Sequence, residues 1–132
     1  MNKLGTIGWF DLTVANATTV RDFYTAVAGW TPEALSMGSY DDYVMKTPAG
    51  SSVAGICHAR GSNAKIPPQW LLYIIVADVN ASAQTAIELG GQVIDGPRPM
   101  GDGQFAIVRD PAGAVAALYQ PTQPAQSESS IP

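Results

Sequence analysis

The sequence predicts an α+β domain built from two tandem βαβββ units. Three observations lead to this class. The chain of 132 residues repeats itself at a shift of 62 to 63 residues, its strand-like runs are short and bounded by turn formers, and each half has one amphipathic helical segment. A repeat of this length indicates that one supersecondary unit occurs twice, and it therefore sets the order of the elements.

The repeat has markers at both ends of each half. A strand-like run ends in Asn or Asp, which can cap a following helix, and a glycine follows where that helix should stop. Further along, a Pro-Ala-Gly turn separates two strand-like runs, because Pro fixes φ and Gly permits a positive φ. The matching segments are Leu12–Asn16 with Ile74–Asp78, Gly29 with Gly91, and Lys46–Gly50 with Arg109–Gly113.

The first half contains one helix and four strands. We predict the helix at residues 18–28 and the strands at 5–14, 31–35, 41–47 and 52–58. The apolar residues of the helix have the spacing of one helical face, and they are Val20, Phe23, Tyr24 and Val27. Along the first strand, alternation places Trp9, Asp11 and Thr13 on one face. Phe10, Leu12 and Val14 lie on the other face and should pack under the helix.

The second half repeats this order. We predict strands at residues 70–76, 92–97, 104–109 and 115–119 and a helix at 80–89, whose apolar face is formed by Val79, Ala83, Ala86 and Ile87. Residues 60–68 form a polar linker. The whole is one domain, residues 1–121, with repeats at about 5–59 and 69–121. Residues 122–132 are rich in Pro, Gln and Ser and are predicted to be a mobile tail.

Composition excludes several function classes. Seven basic residues are scattered among eleven acidic ones, for a net charge of −4, which argues against nucleic-acid binding because that depends on clustered Lys and Arg. The longest apolar run, residues 70–77, is far shorter than the ~20 residues that span a bilayer. Cys57 is the only cysteine. With no signal-peptide pattern at the start, this predicts a cytoplasmic protein.

An ordered series of motifs covers residues 5–121. In the first half it consists of Trp9-x-x-Leu12-x-Val14, Phe23-Tyr24 and Gly29-Trp30; in the second half it consists of Tyr73-x-x-Val76-x-Asp78-Val79, Glu88–Gly91 and Asp110-Pro111-x-Gly113. This series resembles the vicinal-oxygen-chelate superfamily of glyoxalases, bleomycin-resistance proteins and extradiol dioxygenases. The resemblance implies a curled eight-stranded mixed sheet whose two half-cups enclose a ligand, and a homodimer.

The resemblance also implies four metal-ligand positions, usually occupied by His or Glu. Projected onto this sequence, these positions are Trp9, Ala54, Leu71 and Ala117. None of them offers the nitrogen or oxygen donor that such ions require. We therefore predict no metal, no other cofactor and no metal-assisted reaction.

Six residues are predicted to contact a ligand on the cup face: Trp9, Asp11, Leu71, Tyr73, Ala117 and Tyr119. Burial of Asp11 among apolar walls would raise its pKa and make it a ligand anchor or a general base; alternatively, Asp11 is hydrated at the strand end. The tyrosines are either hydroxyl donors to a ligand or core rings. Cys57 and His58 are adjacent on a strand and point to opposite faces, so they do not form a nucleophilic pair, and His58 is predicted to face solvent.

The leading hypothesis is a metal-free small-molecule-binding protein that sequesters its ligand or confers resistance to it, without a catalytic residue. Three alternatives stay open. One is a metal-independent isomerase or lyase that uses Asp11 or a tyrosine as acid or base. Another is a metal-dependent lyase or dioxygenase with relocated ligands. The last is an interaction module whose cup is filled by its own side chains.

Overall fold

A computed structural model describes residues 3–122, so the predicted tail lies almost wholly outside the described residues. The elements are β1 (Ile7–Val14), α1 (Ala17–Ala28), β2 (Thr31–Ser36), β3 (Asp41–Lys46), β4 (Ser52–His58), a short 3-10 helix (Gly61–Asn63), β5 (Trp70–Ile75), α2 (Val79–Glu88), β6 (Gln92–Met100), β7 (Gly103–Arg109) and β8 (Val115–Gln120). Within residues 3–122, no helix is long and apolar enough to cross a membrane.

The chain forms two compact units. The first unit comprises residues 9–70, and the second comprises residues 71–122 together with residues 3–8. Strands of the first unit are ordered β2-β3-β4-β1, and strands of the second are ordered β6-β7-β8-β5. In each unit the first and last strands are parallel and the other pairs are antiparallel. The predicted α+β class, with two βαβββ units and eight strands in mixed pairing, is confirmed.

Helix α1 packs on one face of the first unit's sheet. Gly29 ends the helix with a φ of 74°, a left-handed conformation that glycine adopts without steric cost. The core of the unit contains the buried Ala17, Tyr43, Met45 and Ile56, with Val14, Val20, Tyr24, Trp30 and Trp70 packed against them. The predicted helix face is therefore only half right, since Phe23 is 55% exposed and Val27 is 66% exposed.

Hydrogen bonds at its first turn connect helix α2 to the rest of the second unit. The side chain of Asp78 accepts a hydrogen bond from the Ala81 N–H at 3.1 Å, as its predicted capping role requires. The Val79 N–H donates to the side-chain oxygen of Gln120 on β8 at 2.9 Å. Val79 and Ala83 are buried as predicted, but Ile87 is 53% exposed, so the helix buries mainly its N-terminal half.

The β6–β7 connection is much shorter than the sequence predicts. The predicted strands end at residue 97 and resume at residue 104, whereas β6 continues to Met100 and β7 begins at Gly103. A two-residue turn joins them, and its first residue, Gly101, has a φ of 57°. Two-residue hairpins of this kind require positive φ. The prolines of this segment suggest a loop, but they lie on an outermost strand of the unit, where a missing N–H is tolerated.

Candidate functional site

One face of the first unit brings several polar side chains together. In the parallel β1–β4 pair, Asp11 lies opposite Gly55 and Thr13 lies opposite Cys57. Residues opposite one another in a sheet point to the same face, so these residues share one face with Trp9. Helix α1 packs on the other face, beside Val14 and Ile56. The predicted division of β1 into a polar cup face and an apolar helix face is consistent with this register.

Asp11 is the central residue of this face. It is 7% exposed, and its Oδ1 accepts a hydrogen bond from the indole Nε1 of Trp9 at 3.2 Å. The Cys57 thiol donates to Oδ2 of Asp11 at 3.5 Å. Both donors are neutral, so no cationic partner on the described residues of this cluster balances the carboxylate.

Gly55 makes room for this carboxyl group. A Cβ at position 55 would overlap with Oδ1 of Asp11 and lie 3.3 Å from Nε1 of Trp9. The Asp11 side chain thus extends across the backbone of β4 and occupies the volume that a side chain at 55 would need. Glycine is required here for close approach.

The environment shifts the ionisation of Asp11 strongly. Desolvation by burial raises its pKa from 3.8 to about 6, against the opposing hydrogen bonds from Trp9 and Cys57; the nearby negative charge of Asp42 adds to the rise. A carboxyl group with such a pKa exchanges its proton near neutral pH. Of the two alternatives that the sequence leaves open for Asp11, burial with a raised pKa and hydration at the strand end, the first is consistent with this environment.

This shift predicts a pH-dependent stability. The unfolded chain loses the Asp11 proton near the ordinary pKa of 3.8, whereas the folded chain keeps it to about 6. The free energy of unfolding should therefore fall by on the order of 2–3 kcal/mol as the pH rises across this interval. Urea unfolding at a series of pH values measures it. Asp11→Asn should remove this pH-dependent part of the free energy of unfolding. The control Asp102→Asn, which replaces an exposed carboxylate, should keep it. If the wild type and Asp11→Asn show the same dependence of stability on pH, Asp11 is not its source.

A second carboxylate lies next to this cluster. Asp42 is 4% exposed, and its Oδ1 accepts the backbone N–H of His58 at 2.8 Å and lies 3.3 Å from Nδ1 of the same ring. The ring therefore has a fixed orientation. His58 is largely buried, with 16% of its side chain exposed, so the prediction that it faces solvent is wrong. Asp42 at the start of β3 reaches back to the end of β4, a long-range contact that local sequence does not reveal.

Cys57 lies between the two carboxylates. Burial, together with the negative charges of Asp11 and Asp42, raises the pKa of its thiol. The thiol therefore stays protonated, and it serves as a hydrogen-bond donor rather than a nucleophile. This supports the prediction that Cys57 and His58 are not a nucleophilic pair.

The other four predicted ligand residues share one face of the second unit. Tyr73 lies opposite Ala117, and Ile75 lies opposite Tyr119; Leu71 is two residues before Tyr73 and points to the same side. Leu71, Tyr73 and Ala117 are buried. The hydroxyl of Tyr119 donates to the backbone oxygen of Met100 at 3.4 Å. This face is thus predominantly aliphatic and aromatic.

An ion pair that the sequence analysis missed lies on this second face. Arg98 donates to both carboxylate oxygens of Asp95, at 3.0 and 2.9 Å, and its guanidinium lies 4.5 Å from the centre of the Phe105 ring. Phe105 in turn stacks with Tyr73 at a centroid distance of 6.4 Å. The predicted strand ends at residue 97, so the sequence does not indicate that Arg98 lies on a strand and that its side chain projects from a face of the sheet.

The strand registers correct one of the projected metal positions. Asp11 pairs with Gly55, and Tyr73 pairs with Ala117, so the repeat keeps a shift of 62 in the last strand of each unit. Gly55, not Ala54, is the equivalent of Ala117; Ala54 points to the helix face, beside Ile56. Glycine provides no side-chain donor either.

The donor chemistry therefore does not fit the metal that the fold family implies. Trp9, Gly55, Leu71 and Ala117 have no ligating side-chain atom of the kind a divalent ion takes. Among residues 3–122, no group of three or more His, Cys, Asp or Glu side chains is placed to hold an ion. We derive no reaction step through a metal.

Comparison with protein families agrees with this architecture. A family model described as "Glyoxalase/Bleomycin resistance protein/Dioxygenase superfamily" matches residues 6–118. The chain belongs to this superfamily. The match covers both βαβββ units and confirms the resemblance inferred from the ordered motifs.

Curated members of the superfamily include close relatives in sequence. "Putative glyoxylase CFP32" of Mycobacterium tuberculosis is 34% identical over 129 residues, which cover 89% of this chain and 46% of the relative. "Anthracycline biosynthesis protein DnrV" of Streptomyces peucetius is 32% identical over 114 residues, which cover 83% of this chain and 39% of the relative. The chain thus spans less than half the length of these relatives.

Solved structures of superfamily members show the same fold at low identity. Methylmalonyl-CoA epimerase of Streptomyces coelicolor, a variant in complex with 2-nitronate-propionyl-CoA, superposes with a TM-score of 0.53 and 17% identity, covering 94% of this chain and 99% of that one. The methylmalonyl-CoA epimerase of Mycobacterium tuberculosis superposes with a TM-score of 0.53 and 14% sequence identity. The match covers 92% of this chain and 91% of that one. At this identity the likeness concerns the fold alone.

Proposed function

We propose that this chain is a small-molecule-binding protein of the superfamily that works without a metal, and that its ligand is held on the face formed by Trp9, Asp11 and Cys57. The observation that supports this most is Asp11 itself. A buried carboxyl group costs folding free energy unless it is fully paired, and among residues 3–122 the donors to this one are the neutral Trp9 indole and Cys57 thiol. A group retained at such a cost is typical of a functional site.

The neighbours of Asp11 suit an organic ligand. Trp9 offers an aromatic surface on the same face of the strand, and small-molecule sites generally combine apolar walls with a few fixed polar groups. Asp11 is the fixed polar group, since the Trp9 indole and the Cys57 thiol hold its two oxygens. Leu71, Tyr73, Ala117 and Tyr119 remain proposed ligand contacts on the face of the second unit.

The names of the relatives guide the choice of ligand class. One is named for glyoxylase and another for anthracycline biosynthesis, and both names concern small carbonyl-containing or aromatic molecules. We propose sequestration of an aromatic carbonyl compound as the role. We also propose a cytoplasmic location and a homodimer, which follow from the single cysteine and from the family resemblance.

A second candidate function is proton-transfer catalysis by Asp11. Its raised pKa of about 6 is close to the value at which a carboxylate both accepts and returns a proton efficiently. An isomerase or lyase acting next to a carbonyl group would use this property. For the third candidate, a metal-dependent lyase or dioxygenase with relocated ligands, residues 3–122 offer no group of three or more His, Cys, Asp or Glu side chains placed to hold an ion.

Fluorine NMR can test the proposed function directly. The chain has three tryptophans, so protein labelled with 5-fluorotryptophan should give one resonance each for Trp9, Trp30 and Trp70. We titrate an anthracycline and a set of aromatic carbonyl compounds. We expect at least one compound to shift the Trp9 resonance saturably, with a dissociation constant at or below about 1 mM.

Asp11→Asn then separates the two candidates. If Asp11 anchors the ligand, the affinity should fall about tenfold, because a hydrogen bond to a charged group is lost. If Asp11 is a catalytic base, turnover should fall by about 100-fold or more while the affinity changes little. Asp102→Asn is the matched control on an exposed turn. A Trp9 resonance that no compound moves would refute the proposal.

A further inference from the structure

A separate pocket lies on the other side of the first unit's sheet. Its volume is about 390 Å³, and its wall is formed by Phe10, Trp30, Val53, Ala54 and Trp70. Phe10 and Ala54 alternate with Asp11 and Gly55 along their strands, so they point away from the proposed ligand face. The pocket is therefore distinct from the site around Asp11.

Aromatic rings give this pocket a fixed shape. The indoles of Trp30 and Trp70 meet edge to face at 5.9 Å and 82°. The Nε1 of Trp70 donates to the hydroxyl of Tyr24 at 3.0 Å, and the rings of Tyr24 and Trp70 lie 5.4 Å apart. Since this hydrogen bond uses the only donor of the Trp70 side chain, Trp70 presents only its ring to the pocket.

The pocket continues the hydrophobic core without being filled by it. Trp30 and Trp70 pack against the buried cluster that contains Met45 and Ile56, and Ala54 lies beside Met45 in the sheet. Phe10, which also lines the pocket, is 45% exposed. A small residue at 54 leaves space that a large residue would occupy, and the surrounding rings leave apolar surface in contact with water.

We infer that this pocket is a binding site for a flat, uncharged aromatic molecule the size of naphthalene. The volume lies within the range of about 300–1,000 Å³ that is typical of ligand pockets. Perpendicular indoles favour a ring that stacks on one and meets the edge of the other. Within the described part of the chain, no charged side chain contributes to the wall, so an ionised ligand would lose its hydration without compensation.

The test uses naphthalene as the probe and the same fluorotryptophan-labelled full chain. We expect the resonances of Trp30 and Trp70 to shift together and saturably, while Trp9 does not respond. Phe10→Ala removes one wall from a half-exposed position and should weaken binding about tenfold, or ~1.4 kcal/mol. Phe23→Ala, which removes an exposed ring outside the pocket, should change the affinity less than about twofold.

Three outcomes would overturn the inference. One is the absence of a saturable shift up to the solubility limit of naphthalene. Another is a response of Trp9 in place of Trp30 and Trp70. The third is a change in the Trp30 and Trp70 resonances with protein concentration alone, which would show that a second copy covers the pocket. If naphthalene shifts Trp30 and Trp70 while neither the anthracycline nor any aromatic carbonyl compound shifts Trp9, the proposed function is refuted and this inference stands.

Discussion

Gly55→Ala should destabilise the protein by about 2–4 kcal/mol. The new methyl group overlaps with the Asp11 carboxyl and crowds the Trp9 indole. Asp11 must then turn away and lose its hydrogen bonds while it stays buried. The expected measurement is a lower urea midpoint with an unchanged slope. The variant should also abolish binding on the Trp9 face.

A second substitution tests the cause. Gly55→Ala combined with Asp11→Ala removes the overlapping carboxyl group and should recover at least half of the lost stability. Gly8→Ala is the matched control, because its added methyl would crowd an apolar side chain, at Cδ1 and Cγ1 of Ile75, and no carboxyl group. Its cost should stay below about 1 kcal/mol. If Gly55→Ala is as stable as the wild type, the close approach of Asp11 to β4 is wrong.

Arg98→Ala should have an effect of similar size, about 2–4 kcal/mol. The substitution removes both hydrogen bonds to Asp95, a residue whose side chain is only 3% exposed, and the guanidinium that lies over Phe105. Part of the Arg98 side chain is exposed, so we place the value below that of a fully buried pair. Chemical unfolding at neutral pH provides the measurement.

Two further variants show whether loss of the Arg98–Asp95 ion pair causes the loss of stability. Arg98→Ala with Asp95→Ala should be more stable than Arg98→Ala alone, because the buried carboxylate is gone. Arg109→Ala removes an exposed arginine on β7 that bonds the side chain of Gln92 and should change stability by no more than about 0.5 kcal/mol. Equal losses for Arg98→Ala and Arg109→Ala would show that the pair has no structural importance.

The sequence was sufficient for features that depend on local pattern. Alternation along β1 predicts the face of Asp11, the Asp78 cap marks the start of α2, and the repeat predicts the order of all eight strands. Each of these is encoded within a few neighbouring residues. For Asp11 the pattern leaves two alternatives, burial with a raised pKa or hydration at the strand end, and only the packing around the strand decides between them.

The features that the sequence did not predict depend on register or on contacts between distant strands. A shift of one residue in β4 moved the projected metal position from Gly55 to Ala54, because a single slip exchanges the faces of a strand. The burial of His58 depends on Asp42, which lies 16 residues earlier in the chain. The prolines near Arg98 suggest a loop where the chain continues as a strand. No local signal marks any of these.

The position of the Asp11 carboxyl over β4 links two residues that are far apart in the chain. An acidic side chain at 11 can be accommodated only while 55 has none, so position 55 cannot gain a side chain while Asp11 is present. During divergence within the superfamily, a larger residue at 55 would become acceptable only after 11 had become smaller. The order of such changes is thereby constrained, because position 11 must change before position 55.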